Sequence, residues 1–251
     1  MEGDLKMEKE KPKKELIKSV SRSLDLLSLF LEHKQELGVS QISKKLGVYK
    51  STTHRLLDTL KEKGFVYQNP ITQKYWLGVK NFSLGMLYQN KLVLTELSYP
   101  YLKELSEQWH ETIHLAILDE SEKPEVVVLE KVKTNHLLTF SPPIGSTTPA
   151  HCSGVGKVLL AYSSPDTTNN LFKSNIQRFT DTTITKKDDL KTELEKIKEV
   201  GYAIDREELE KGLSCFAVPV FSRDNEVVAA ISISGPTSRI TPDRHEEIIN
   251  S

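Results

Sequence analysis

The sequence predicts an α+β protein: an N-terminal winged helix-turn-helix, a linker helix, and a C-terminal, mainly antiparallel sheet flanked by helices. Three observations predict it. Residues 16–63 carry three runs of helical apolar spacing, divided at Gly38 and at Gly47-Val48. Gly64 is followed by two short β-type runs around Asn69-Pro70, a turn signal. From Thr112 onward short β-rich runs follow one another, most without a helix between them, which favours antiparallel pairing.

Each element has its own signal. Residues 1–15 lack apolar periodicity and are expected to form a disordered arm. Leu16 to Leu31 reads as an amphipathic helix with Val20, Leu24, Leu27 and Leu31 at helical spacing, ended by Gly38. Val39–Leu46 is a short helix with Ser40 as its cap. Lys50 to Lys63 is a third helix whose inner stripe is Thr53, Leu56, Leu57 and Leu60. Gly64 stops it, and Phe65–Gln68 with Lys74–Leu77 form a hairpin, completing a winged unit over 16–78. Residues 79–98 then form a linker helix that Pro100 interrupts, with a second helix running to about His110. The C-terminal part, 99–251, has strand-like runs at Thr112–Leu118, Val126–Val132, Leu137–Phe140, Gly201–Ile204, Phe216–Phe221 and Val227–Ser234. Helices are expected at Cys152–Tyr162, Pro165–Phe172 and Lys186–Val200, with Ser164-Pro165 and Thr185 as start signals.

Composition narrows the functional classes. The 251 residues are 37% hydrophobic and 27% charged, enough to bury a core and stay in solution. No apolar run approaches the roughly 18 residues of a membrane span, and the Lys/Glu-rich start is no secretory leader. Two cysteines, Cys152 and Cys215, argue against a disulfide framework and fit the cytoplasm. Charge is uneven. Residues 16–80 hold eleven Lys/Arg against five Asp/Glu, whereas 81–251 hold eighteen against twenty-five. A basic N-terminal third on an acidic remainder points to a polyanion partner for that third.

The third helix suits duplex DNA. An α-helix fits the major groove, where side chains near its N-terminus read base edges. Lys50, Ser51, Thr52 and Arg55 lie opposite the leucines, with Thr59 one turn on. Arg55 is able to contact guanine or a phosphate, and Ser51 and Thr52 to donate to phosphates. Lys44 and Lys45 belong to the preceding helix, which crosses the backbone in such folds, and Lys74 stands in the wing. Solvated helices carry Lys and Arg too, so no single residue decides. The joint order of helix, glycine turn, basic helix, glycine and hairpin is what favours double-stranded DNA over a protein-contact module.

Residues 145–162 read GSTTPAHCSGVGKVLLAY and residues 201–239 read GYAIDREELEKGLSCFAVPVFSRDNEVVAAISISGPTSR. With STTHRLLDTLKEKGF in the third helix, these make the chain resemble the IclR (isocitrate-lyase regulator) family of bacterial transcription factors over Leu16 to Arg239. The resemblance implies a GAF-like domain binding a small-molecule effector, dimers or tetramers built through the N-terminal domains and linker, and palindromic operators. It implies effector contacts from Leu137, Gly154, Val155, Asp205, Cys215, Ser232 and Ser234. The first motif departs from the family's commoner small-residue version in reading His-Cys-Ser-Gly-Val-Gly. Family members also continue further the helix that Thr241-Pro242-Asp243 opens.

The residues point to a pocket on their own account. Ser232 and Ser234, two apart on a strand, face one way while Ile231 and Ile233 face the other. Cys215 starts the next apolar run, and Asp205 ends a strand. Ser153-Gly154-Val155-Gly156 opens a helix, where free N–H groups and the dipole favour a carboxylate. Effector binding is expected to re-place paired DNA-binding domains through the 79–98 helix and to shift operator affinity by about 1–3 kcal/mol. Chemistry of other kinds finds less support. Gly156-Lys157 fails the phosphate-loop pattern twice, with His151 at the first glycine and Val158 at the Ser/Thr. Cys215 with His151 could pair as nucleophile and base, or with Cys152 and Asp205 hold zinc, but no local spacing signature joins them. No cofactor, metal or membrane is expected.

Overall fold

The computed structural model describes residues 16–121, 123–173, 175–241 and 244–249, so the expected N-terminal arm lies outside the described residues. The chain divides into two compact units, Met1–Lys91 and Leu92–Ser251.

The first unit packs α1 (Lys18–His33), α2 (Val39–Leu46) and α3 (Lys50–Glu62) against a hairpin of β1 (Val66–Gln68) and β2 (Tyr75–Leu77). Its core is built from Leu26, Leu29, Phe30, Ile42, Leu57 and Tyr75, with Phe30 edge-on to Trp76 at 5.4 Å. The stripe read from α1 is corrected here: Val20, Leu24 and Leu31 are exposed, and the neighbouring face is buried. α1 carries two apolar faces, so spacing alone does not choose between them. α1 ends at Lys34, left-handed with φ 51°, before Gly38 is reached. Gly38, not Ser40, caps α2; its N–H donates to Gln41 Oε1 at 2.9 Å, and Ser40 is an exposed residue inside the helix.

α4 (Val79–Gln89) follows, anchored at its start by Asn81, whose Nδ2 donates to the Phe65 carbonyl at 2.7 Å. The helical stretch breaks at residues 90–92 rather than at the proline. Pro100 sits inside α5 (Val93–Trp109), so residues 93–98 belong to that helix and not to a linker. A proline removes one backbone hydrogen bond. α5 tolerates it because Ser98, Leu102, Ser106 and Trp109 fix its buried face.

The second unit is a six-stranded sheet in the order β5-β4-β3-β8-β7-β6, every neighbouring pair antiparallel. The strands are β3 (Thr112–Asp119), β4 (Glu125–Val132), β5 (Thr147–Pro149), β6 (Ala203–Arg206), β7 (Leu213–Phe221) and β8 (Val227–Pro236). The expected strand at Leu137–Phe140 is a loop with Leu137 and Leu138 in solvent. The three-residue β5 replaces it as the partner of β4. α6 (Gly154–Tyr162) and α8 (Lys187–Val200) cover one sheet face, burying Ala116, Val126, Val158, Leu190, Leu194 and Ala217. α5 and α9 (His245–Ile249) cover the other with Leu102, Trp109, Ile113, Leu115, Phe216 and Ile233. α7 (Pro165–Lys173) starts as expected, its Thr167 N–H held by Ser164 Oγ at 3.2 Å. Thr185 does not cap α8; Lys186 does, and Thr185 Oγ1 accepts from Arg178 instead.

Candidate functional site

The first unit presents one polar, basic surface. The turn between α2 and α3 uses Gly47 at φ 63°, a left-handed conformation that glycine adopts without steric cost. Ser43 locks the turn, its Oγ donating to the Val48 carbonyl at 2.7 Å. α3 then buries Thr53, Leu57 and Leu60, which forces Lys50, Ser51, Arg55 and Thr59 outward; all four are exposed, and Thr52 is half-buried. No side chain caps α3, and its first paired N–H is that of Thr53, bonded to the Tyr49 carbonyl. The start of α3 therefore offers N–H donors and the positive end of the helix dipole to an anion. Thr59 Oγ1 donates to the Arg55 carbonyl at 2.8 Å. Lys44 and Lys45 are exposed at the end of α2, and Lys74 is exposed on the wing. Glu36 pins the wing tip by accepting from Asn69 Nδ2 and Thr72 Oγ1, and these bonds hold its pKa below the usual carboxylate range. Sequence reasoning passed over Tyr49 and His54, both exposed on the same helix start.

In the second unit, strand register assembles the other site. Asp205 pairs with Cys215, Cys215 with Ser234, and Ser234 with Thr112. One row of polar side chains thus crosses β6, β7, β8 and β3. The next row sets Ser232 beside His114. Side chains alternate along a strand, so these residues face α6 while Ile113, Ile204, Phe216 and Ile233 face α5. Asp205, Cys215, Ser232, Ser234, Val155 and His114 line one cavity of about 40 Å³. Val155 brings the first turn of α6 to its wall. Gly154 is there for close approach: a Cβ on it would stand 2.6 Å from Cys215 Sγ.

The electrostatics of the cavity are those of a dry place. Burial first, and the Glu208 charge as well, push the Asp205 carboxyl up to about 7, against the Glu208 N–H that Asp205 Oδ1 accepts at 2.8 Å. Burial pushes the Cys215 thiol up to about 12, so Cys215 is a neutral thiol and no nucleophile. Lys157 is fully buried and committed to Glu208 Oε1 at 2.5 Å, the Ile204 carbonyl at 2.8 Å and Glu193 Oε1 at 3.2 Å. Its amine serves carboxylates, not a phosphate. His151 is engaged by the Gln177 carbonyl through Nε2, and Cys152 donates to the Pro149 carbonyl. Among the described residues no group of three or more His, Cys, Asp or Glu side chains could hold a metal ion.

Leu137 is corrected: it is fully exposed on the 133–146 loop and stands outside the cavity. Phe140 and Pro142 of that loop line the cavity in its place. His114 was missed, because a single histidine in an apolar strand carries no motif. Its signal was its position two after Thr112, on the alternating polar side of β3.

Residues 86–251 match the family described as Bacterial transcriptional regulator IclR C-terminal, and residues 19–70 match the IclR helix-turn-helix domain. The chain belongs to the IclR family. Transcriptional repressor IclR of Escherichia coli (strain K12) is 36% identical over 232 residues, covering 92% of this chain and 84% of that protein. An IclR transcriptional regulator from Silicibacter sp. TM1040 superposes with a TM-score of 0.81 at 29% identity, covering 92% of this chain and 90% of the other. An IclR homolog from Microbacterium hydrocarbonoxydans, solved in complex with 4-hydroxybenzoate, shares the fold with a TM-score of 0.72 at 23% identity, covering 92% and 94%. This IclR-family chain is a DNA-binding transcriptional regulator.

Proposed function

We propose that this regulator represses transcription from a palindromic operator in the cytoplasm and that a small organic acid in the C-terminal cavity controls its hold on DNA. The polar row across four strands, ending against the first turn of α6, is the observation that carries the effector reading. A carboxylate is favoured at the positive end of α6. Ser232 and Ser234, 3.4 Å apart, and Cys215 serve the rest of the ligand. For DNA, Lys50, Ser51, Thr52, Arg55 and Thr59 of α3 enter the major groove, Lys44 and Lys45 meet the backbone, and Lys74 follows from the wing. Repression is favoured by the 36% identity to a repressor. Occupancy of the cavity shifts operator affinity by about 1–3 kcal/mol.

Fluorescence anisotropy with DNA from upstream of its own gene tests the reading. Binding should weaken steeply between about 50 and 200 mM salt, as counterion release requires. A Lys50→Ala/Arg55→Ala double variant should lose it. Failure to bind any genomic fragment defeats the operator reading. For the cavity, Ser232→Ala/Ser234→Ala should blunt release by the organic acid that releases wild type; an undiminished response removes those serines from the site.

A self-associated regulator also fits α1 and α4. Val20, Leu24 and Leu31 on α1, and Phe82, Leu87 and Tyr88 on α4, are large apolar side chains left exposed. We assign them to contacts with a second copy, in a dimer or tetramer matched to two half-sites.

A further inference from the structure

Two buried polar atoms on β3 have no partner among the described residues: Nε2 of His114 and Oγ1 of Thr112. Both residues are at most 3% exposed. Buried hydrogen-bonding atoms are nearly always paired, so each orphan calls for a physical reason. Register supplies the setting. Thr112 is opposite Ser234 and His114 opposite Ser232, so β3 carries onto a further strand the polar surface already built by β6, β7 and β8. His114 lines the cavity and meets Phe140 edge-on at 6.0 Å between ring centroids.

The charge state narrows what such a group can recognise. Burial, with Lys131 nearby, drops the His114 pKa to about 4, so the ring is neutral near pH 7. A neutral ring pairs with a dipole; it offers no charge to hold a second carboxylate. Lys157 cannot supply one either, because its amine is already shared between Glu193 and Glu208, and Lys131, opposite His114 on β4, does not line the cavity and donates its Nζ to the Ser141 and Pro142 carbonyls.

We propose that His114 is a specificity-determining residue of the cavity, its Nε2 hydrogen-bonding an uncharged hydroxyl or carbonyl oxygen that the effector carries in addition to its carboxylate. This rests on the reading of the cavity as an organic-acid site. The preferred class is therefore a short hydroxy or keto monocarboxylic acid, ahead of the plain acid and of the dicarboxylate of the same length. A site built to bond an oxygen discriminates sharply against the analogue lacking it, because its own buried group is then left unpaired.

Calorimetric titration of the full chain with matched acids tests this: propionate, lactate, pyruvate, 3-hydroxypropionate and malonate, then butyrate, 4-hydroxybutyrate and succinate. At least one hydroxy or keto acid should bind wild type about tenfold or more tightly than its plain partner. His114→Leu should shrink that preference to within about twofold. His114→Gln, which keeps a neutral hydrogen-bonding group, should restore part of it. With 15N-labelled histidine, the preferred acid should shift the His114 Nε2 resonance and the plain acid should not, a readout that a packing role would not give. If His114→Leu fails to fold, the glutamine variant and the ring signal decide. Acids that bind without preference, or a preference that survives His114→Leu, overturn the role of His114 and leave the cavity reading standing. If none of these acids binds wild type, the organic-acid reading falls and this inference with it.

Discussion

Asp205 shows how far a fold can bend one side chain's chemistry. Its carboxyl is raised from 3.8 to about 7, chiefly by burial, so the folded chain retains a proton that the unfolded chain releases. That contribution to stability is complete below the unfolded pKa and is lost as pH rises through the folded one. His114, lowered to about 4, works in the opposite sense and favours folding as pH rises from about 4 to 6.5. The difference between wild type and Asp205→Asn separates the two. Urea denaturation of the full chain should find the variant more stable at pH 8, by on the order of 1–4 kcal/mol, and nearly level with wild type at pH 4. An equal gap at both values would refute this. Alternation made Ser232 and Ser234 legible in the sequence, and motif likeness added Asp205 and Cys215. His114 stayed hidden because a lone histidine acquires meaning only from the strand opposite, and Leu137 was misjudged because loop exposure is decided by tertiary packing.

Among the elements, the α2–α3 turn is the joint on which DNA reading depends. A Cβ at Gly47 would meet no atom within 4 Å, so φ 63° is the sole obstacle to a side chain there. Gly47→Ala should therefore cost about 1–2 kcal/mol through the left-handed penalty and weaken operator binding more than it lowers the melting temperature of the second unit. An anisotropy titration beside a calorimetric scan checks both. Pro100 gives the reverse case. Pro100→Ala should stabilise α5, by up to about 3 kcal/mol, and an unchanged urea midpoint would show that the helix had already absorbed the loss. The bounds of α2 were readable because Gly47 and the apolar spacing agree. The cap at Gly38 was not, because a glycine N–H taken by Gln41 carries no Ser, Thr, Asp or Asn signature, and the three-residue β5 was not, because its pairing with β4 is set by residues distant in sequence.

At the scale of the whole molecule, α4 raises the question of partners. It carries Phe82, Leu84, Met86, Leu87 and Tyr88, yet none of its residues is buried within the described part of the first unit. Apolar surface of this extent on a water-facing helix marks an interaction site. No helix among the described residues is long and apolar enough to cross a membrane. The covering proposed above is a second copy of this chain. Sedimentation should find dimers or tetramers for wild type and monomers for Leu24→Glu/Leu87→Glu. The monomeric variant should keep its effector affinity while losing tight binding to a two-half-site duplex. Helix order, sheet class and family were legible from the sequence because local spacing and long motifs carry them. Which faces stay uncovered was not, because that is a property of the assembled fold.

The strict alternation along β3 and β8 has a consequence for how this molecule changes over generations. Residues that line the cavity and residues that meet α5 take turns on the same backbone. Replacing Ser232 or His114 therefore changes the cavity wall while the isoleucine layer goes on holding the sheet together. Deleting one residue from the middle of β8 would instead exchange the two sets, sending isoleucine side chains into the cavity and serine hydroxyls against Trp109 and Leu102. New signals are open to this scaffold through substitution, and closed to it through changes in strand length.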